Sequence, residues 1–288
     1  MEDRIGGAPI SWGVCEAPGW GIELPPERVL AEMSGLGLTA TELGPTGYLG
    51  KDPADVRATL ARHGMTLIGG FLPVPMHIAT EADLAEAAAA MDTLAAGGSE
   101  VVVLAARSSD GSYDEKVHLT EEEWQKLFAT LGTLQEMAAA RGLRSSLHPH
   151  VGTAVEDRAS VLRVLDGSDI PICLDTGHLL IGGMQPAELL ELAASRITHV
   201  HLKDVDLAVA ATVQNGERSY LDGVRNGLYT PLGAGDVDVT GIVATLEAAG
   251  YRGWYVLEQD CALSDTPEGE GPVGDVRRSL TYLKETPR

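Results

Sequence analysis

Short apolar runs alternate along the chain with longer stretches in which apolar residues recur at helical spacing. The runs at residues 9–15, 38–43, 66–72, 100–105, 143–148, 170–175, 197–202 and 253–258 predict strands. Between them, segments 25–36, 52–63, 80–96, 120–141, 156–165, 186–195, 238–249 and 274–284 predict helices. Their ends carry matching signals. Pro25-Pro26 and Asp52-Pro53 open helices, Gly64 and Gly97-Gly98 close them, and Thr120 followed by Glu123 forms a capping-box pattern. The run 100–105 (EVVVLA) is apolar throughout, as a strand buried on both faces requires.

Strands alternating with helices imply parallel pairing through right-handed crossovers. Eight such units, with no compositional break and no GxGxxG after the first strand, predict an α/β fold. It is a single (β/α)8 TIM barrel over residues 1–288, with one long functional loop at about 203–237.

Charge and cysteine content narrow the function. A net charge of −21 repels phosphate backbones and anionic lipids, so neither nucleic acid nor a membrane surface is an expected partner. Three cysteines without a CxxC pair support neither a disulfide framework nor a zinc knuckle. The N-terminus shows no basic region leading into an apolar run, and the cytoplasm is the expected compartment.

A barrel gathers its chemistry at the C-terminal ends of its strands. Six of the eight histidines fall at such ends, where chance would scatter them. Imidazoles and carboxylates there, without a thiolate, suit Mn²⁺, Co²⁺ or Mg²⁺. The most economical ligand set is His148, Asp175, His201 and Glu258, one from each of the last four strands. His150 competes with His148 for its place, and Asp175 could instead cap a helix. His199 shares a face with His201 and reads as an interior support. Glu42 ends the second strand and could equally form a structural ion pair with Lys51 or an arginine. Trp12 is either a pocket wall or core. Within the long loop, Arg225 offers a planar fork for hydroxyls or a carboxylate.

Several segments together carry a family resemblance over nearly the whole chain. They are Pro9-Ile-Ser-Trp-Gly, Gly37 to Gly50, His148-Pro-His-Val-Gly-Thr153, Asp175-Thr-Gly-His178, His199-Val-His-Leu-Lys-Asp204, the 222–236 loop and Gly253 to Asp260. The chain resembles the xylose-isomerase-like TIM barrels and, within them, the inosose dehydratases of inositol catabolism. The resemblance implies a divalent metal, commonly Mn²⁺ or Co²⁺, a small polyol or sugar substrate, and a homodimer or homotetramer. Related epimerases use Glu, Asp, His and Glu as ligands; His148 standing for the first Glu agrees with a dehydratase. Asp206 and the 231–236 segment depart from relatives on what the sequence suggests is the substrate side. The implied reaction eliminates water from a cyclic polyhydroxy ketone. Glu258 or Glu42 would be the base and His148 or His150 the acid, while Trp12, His178, Lys203 and Arg225 would bind substrate. The rival readings are a ketose isomerase or 3-epimerase on the same barrel, and a non-catalytic sugar-binding barrel.

Overall fold

The computed structural model describes residues 1–114 and 116–285. Its main sheet is entirely parallel and curls into a barrel. In chain order the strands are β1 (Ile5–Gly7), β2 (Ala40–Glu42), β3 (Thr66–Gly69), β4 (Phe71–Val74), β5 (Val101–Ala106), β6 (Arg144–Leu147), β7 (Ile172–Asp175) and β8 (Ile197–Leu202). A two-residue strand β9 (Asp204–Val205) pairs outside the barrel with β10 (Tyr229–Thr230), and β11 (Tyr255–Leu257) closes the main sheet against β1 and β8.

β3 and β4 are two halves of one barrel strand, interrupted at Gly70. β3 pairs with β2 and β4 with β5. The carbonyls of Gly69 and Gly70 accept from Leu43 N–H and Val103 N–H at 3.0 Å each, so the ring is continuous across the break. The apolar run 66–72 reads as one uninterrupted strand; its division lets each half serve a different neighbour.

The first strand lies elsewhere than the pattern predicts. Residues 9–12 form a 3-10 turn, and the barrel strand is Ile5–Gly7 just before it. Two glycines give β1 no apolar alternation to read, and the neighbouring strands pack closely on one of them. A Cβ at Gly6 would stand 2.4 Å from Ile68 Cδ1.

The helices include α1 (Pro26–Gly35), α2 (Pro53–Arg62), α3 (Glu81–Gly97), α4 (Glu121–Ala139) and α5 (Arg158–Gly167). They continue with α6 (Thr176–Ile181), α7 (Pro186–Ala193), α8 (Leu207–Gln214), α9 (Tyr220–Arg225), α10 (Val239–Ala248) and α11 (Pro272–Glu285). Thr120 and Glu123 form the capping box expected of α4, and Thr80 with Asp83 forms another on α3. The long segment 203–237 is folded rather than open, since β9, α8, α9 and β10 all lie in it. Asp204 organises its return. Its carboxylate accepts from the backbone N–H of Val205, Gly233, Gly235 and Val237. Asp206 caps α8. Asp206 and the 231–236 segment, the two departures from the relatives, therefore shape the loop, and neither lines the cavity described below. Among the described residues, no helix is long and apolar enough to cross a membrane.

Candidate active site

Asp175, the last residue of β7, lies directly across from His201 of β8 in the sheet register. Its two oxygens have separate duties. Oδ1 accepts from the N–H groups of Gly177 and His178 and so caps α6, while Oδ2 is buried without a hydrogen-bond partner. The capping and ligand readings of Asp175 are thus compatible. His148, one residue past β6, brings Nε2 to 3.3 Å from Asp175 Oδ2. His201 Nδ1 lies 3.6 Å from the same oxygen and 2.8 Å from Glu258 Oε2.

All four side chains are essentially buried, and His148 Nε2, Asp175 Oδ2, His201 Nδ1 and Glu258 Oε2 form no aligned hydrogen bond. Ion pairs hold them together, His148 with Asp175 and both His201 and Lys203 with Glu258, and one cation placed between the four atoms could take all of them as ligands. Two imidazole nitrogens and two carboxylate oxygens are a suitable donor set for a divalent cation. Asp175 also groups with His148 and His178 at ligand spacing. The thiol of Cys173 is a poorer donor there, because burial pushes it up to about 11.

Glu42, at the end of β2, meets neither Lys51 nor an arginine. Its Oε1 accepts from His199 Nε2 at 2.7 Å and His201 Nε2 at 3.1 Å. The second contact fixes the tautomer: with the proton on Nε2, His201 presents Nδ1 as a lone pair to the donor set. Without a metal ion His201 also holds a proton at Nδ1, beside Glu258 and Glu42; burial would raise the Glu42 carboxyl, but that charge and the two histidine hydrogen bonds outweigh it and hold it low.

Lys203 follows β8 and is fully buried. Its ammonium pairs with Asp260 and lies 3.1 Å from Glu258 Oε2 and 3.2 Å from His178 Nε2. Burial disfavours the charge, yet Asp260, Glu258 and Asp175 together keep Lys203 cationic. Tyr220 donates to Asp260 Oδ2 at 2.8 Å and lies 2.9 Å from the Tyr229 hydroxyl. The Tyr229 hydroxyl lies 3.4 Å from His178 Nδ1, and a closed polar ring therefore braces the lysine.

Above this floor is a cavity of about 170 Å³ reached by Glu42, His148, His150, Lys203 and Glu258. His150 Nδ1 lies 2.7 Å from the Val151 carbonyl, which can only accept, so the proton sits on Nδ1 and Nε2 is left as an acceptor. Burial, then the neighbouring His148 and Lys203, lowers His150 to about 3, so its ring is neutral.

Three expected substrate contacts lie elsewhere. Trp12 is fully buried with its indole N–H donating to Glu32 Oε2 at 2.8 Å, which makes it core. Arg225 is exposed, and its guanidinium donates to the carbonyls of Gly19 and Trp20. It ties α9 to the loop after β1 and does not line the cavity. His178 is stacked behind His150, ring centroids 3.8 Å apart, outside the lining. The walls are instead Trp20, Phe71, Tyr113 and Tyr220, with Glu16 at the mouth. In the sequence Glu16 and Asp260 lie just past the predicted strands 9–15 and 253–258 and belong to no motif of their own. The aromatic walls come from two loops, the start of β4 and the start of α9, and their meeting leaves no local signal.

The model for the family described as "Xylose isomerase-like TIM barrel" matches residues 30–286. An inosose dehydratase of Geobacillus thermodenitrificans (strain NG80-2) is 30% identical over 98% of this chain and 97% of its own. One from Clostridium botulinum (strain Alaska E43 / Type E3) is 32% identical over 98% and 96%. A solved structure described as IOLI protein with a binding zinc atom superposes with a TM-score of 0.70 at 14% identity, covering 98% of this chain and 97% of that one. That likeness concerns the fold. The chain belongs to the xylose isomerase-like TIM barrel family.

Proposed function

We propose that the chain is a metal-dependent hydro-lyase that removes water from a cyclic polyhydroxy ketone such as 2-keto-myo-inositol (inosose). The observation that carries this reading is the convergence of His148, Asp175, His201 and Glu258 on one point; the family resemblance implies a Glu at the position of His148 in epimerases, and the imidazole there favours the dehydratase. Near end-to-end similarity to chains named inosose dehydratase supports it. His148, Asp175, His201 and Glu258 would hold the ion, and the two imidazoles favour Mn²⁺ or Co²⁺ over Mg²⁺. When bound, the ion supplies Lewis-acid stabilisation of the charge that develops on the ketone oxygen.

The side chains of the protein do the rest. Glu258 removes the acidic proton from the carbon beside the ketone. The electron pair released there forms a carbon–carbon double bond as hydroxide leaves the next carbon. In a syn elimination the proton held by Glu258 passes to that hydroxide, so the balance is substrate less one water. Lys203 orients substrate hydroxyls beside Glu258, and neutral His150 accepts a hydroxyl hydrogen bond at Nε2. Glu42 acts through His201 by holding its tautomer. The reaction would run in the cytoplasm on a free small molecule, in a homodimer or homotetramer.

Incubating Mn²⁺-supplemented protein with a panel of inososes and ketohexoses tests this. The expected result is a product lighter by one water with the ultraviolet absorbance of a conjugated enol ketone, from inosose alone. An epimerised ketohexose with no change in absorbance would replace the dehydratase reading with the epimerase one.

A further inference from the structure

The mouth of the cavity is built differently from its floor. Glu16, in the loop after β1, is exposed yet lines the cavity, and its Oε1 accepts from the Tyr113 hydroxyl at 3.0 Å. Tyr113 belongs to the loop after β5, so this bond spans the opening. The Tyr113 ring continues inward, 5.2 Å from His150 and 5.5 Å from Tyr220 between centroids. Gly152 seats it: at φ 72°, a Cβ there would stand 2.4 Å from Tyr113 Cα.

The charges on this cavity are unevenly matched. Lys203 is the one lysine or arginine among the described lining residues, and Asp260 already pairs with it. Asp175 and Glu258 would match the two charges of a divalent ion. Glu42 is engaged by two histidines. Glu16 is left bonded to a neutral phenol, an anion at the point of entry. A carboxylate accepts strongly from hydroxyls and repels phosphates and carboxylates, and an unmatched like charge is an effective device for rejecting a wrong ligand.

We infer that Glu16 and Tyr113 are specificity residues that select an uncharged polyhydroxy ring and exclude phosphorylated or carboxylated rings of the same shape. Glu16 accepts from hydroxyls on the edge of the ring remote from the ketone, and Tyr113 holds that carboxylate in place and covers the ring face. This deepens the proposed function and rests on reading the cavity as a polyol site.

Calorimetry with Mn²⁺-supplemented protein, repeated on metal-free protein, tests it with two probes that lack the ketone: myo-inositol and its monophosphate. Wild type is expected to bind myo-inositol about tenfold or more tightly than the monophosphate. Glu16→Gln should reduce that preference by about tenfold, and Tyr113→Phe, losing one hydrogen bond, should weaken myo-inositol by about two- to tenfold. Glu16 is exposed, and thermal melting checks that both variants remain folded. Equal binding of the two probes by wild type, no measurable binding of myo-inositol, or a preference unchanged in Glu16→Gln overturns the inference. Selective binding without dehydration of inosose would count against the proposed function alone. Dehydration without selectivity dependent on Glu16 would count against this inference alone.

Discussion

The two ends of the barrel treat their polar groups in opposite ways. At the N-terminal end, Arg4 donates to the carbonyls of Tyr251 and Gly253 and pairs with Glu247. There too, Arg196 donates to the carbonyls of Leu165 and Ile170. Each of these arginines closes chain ends that enter the strands, with its hydrogen bonds made. At the C-terminal end, four donor atoms from β6, β7, β8 and β11 or their ends converge and make none. One end is satisfied by the chain itself; the other is complete only with something added. The difference separates stability from chemistry within one fold.

Substitutions can break this contrast, and the largest effect belongs to the unsatisfied end. Asp175→Asn keeps an oxygen to cap α6 while removing the charge at Oδ2. Elemental analysis should find bound metal largely lost, and dehydration should fall by about 10³-fold while the melting temperature changes little. Glu42→Ala releases the tautomer of His201 without touching the donor set, so metal affinity should fall by about 10- to 100-fold in a Mn²⁺ titration. An unchanged affinity would show that Glu42 does not position His201.

Gly152→Ala addresses the mouth. Its positive φ and its contact with Tyr113 mean the loop must shift. KM should rise by roughly tenfold with kcat changed less, a split that steady-state kinetics reads. The smallest catalytic effect is expected at the satisfied end. Arg196→Ala strands two carbonyls and should cost about 1–3 kcal/mol in denaturant unfolding, with turnover per folded chain unchanged. A loss of kcat in Arg196→Ala would mean that the two ends are coupled.

Much of this was legible in the sequence for a physical reason. Strands such as Val101–Ala106 are buried along their whole length and must be apolar, so a polar residue at the end of such a run is conspicuous. That logic brought Asp175, His201, Glu258 and Glu42 forward. It failed at β1, where two glycines remove the apolar signature, and at Gly70, where one strand divides between two partners. Trp12 and Arg225 misled because an indole and a guanidinium serve structure as readily as binding. Their real partners are Glu32 and the backbone of the loop after β1. Tyr113 stood out in no pattern, and Tyr220 only as part of the long 203–237 segment, since their roles arise where distant parts of the chain meet.

The central claim is that the unsatisfied donors hold one divalent ion on which dehydration depends. Equilibrium dialysis of chelator-treated protein against Mn²⁺, with inosose dehydration followed in the same samples, tests it most directly. The account predicts one Mn²⁺ per chain, activity rising in proportion to occupancy, and neither in Asp175→Asn. Full activity in metal-free protein, or equal Mn²⁺ binding by wild type and Asp175→Asn, would contradict it.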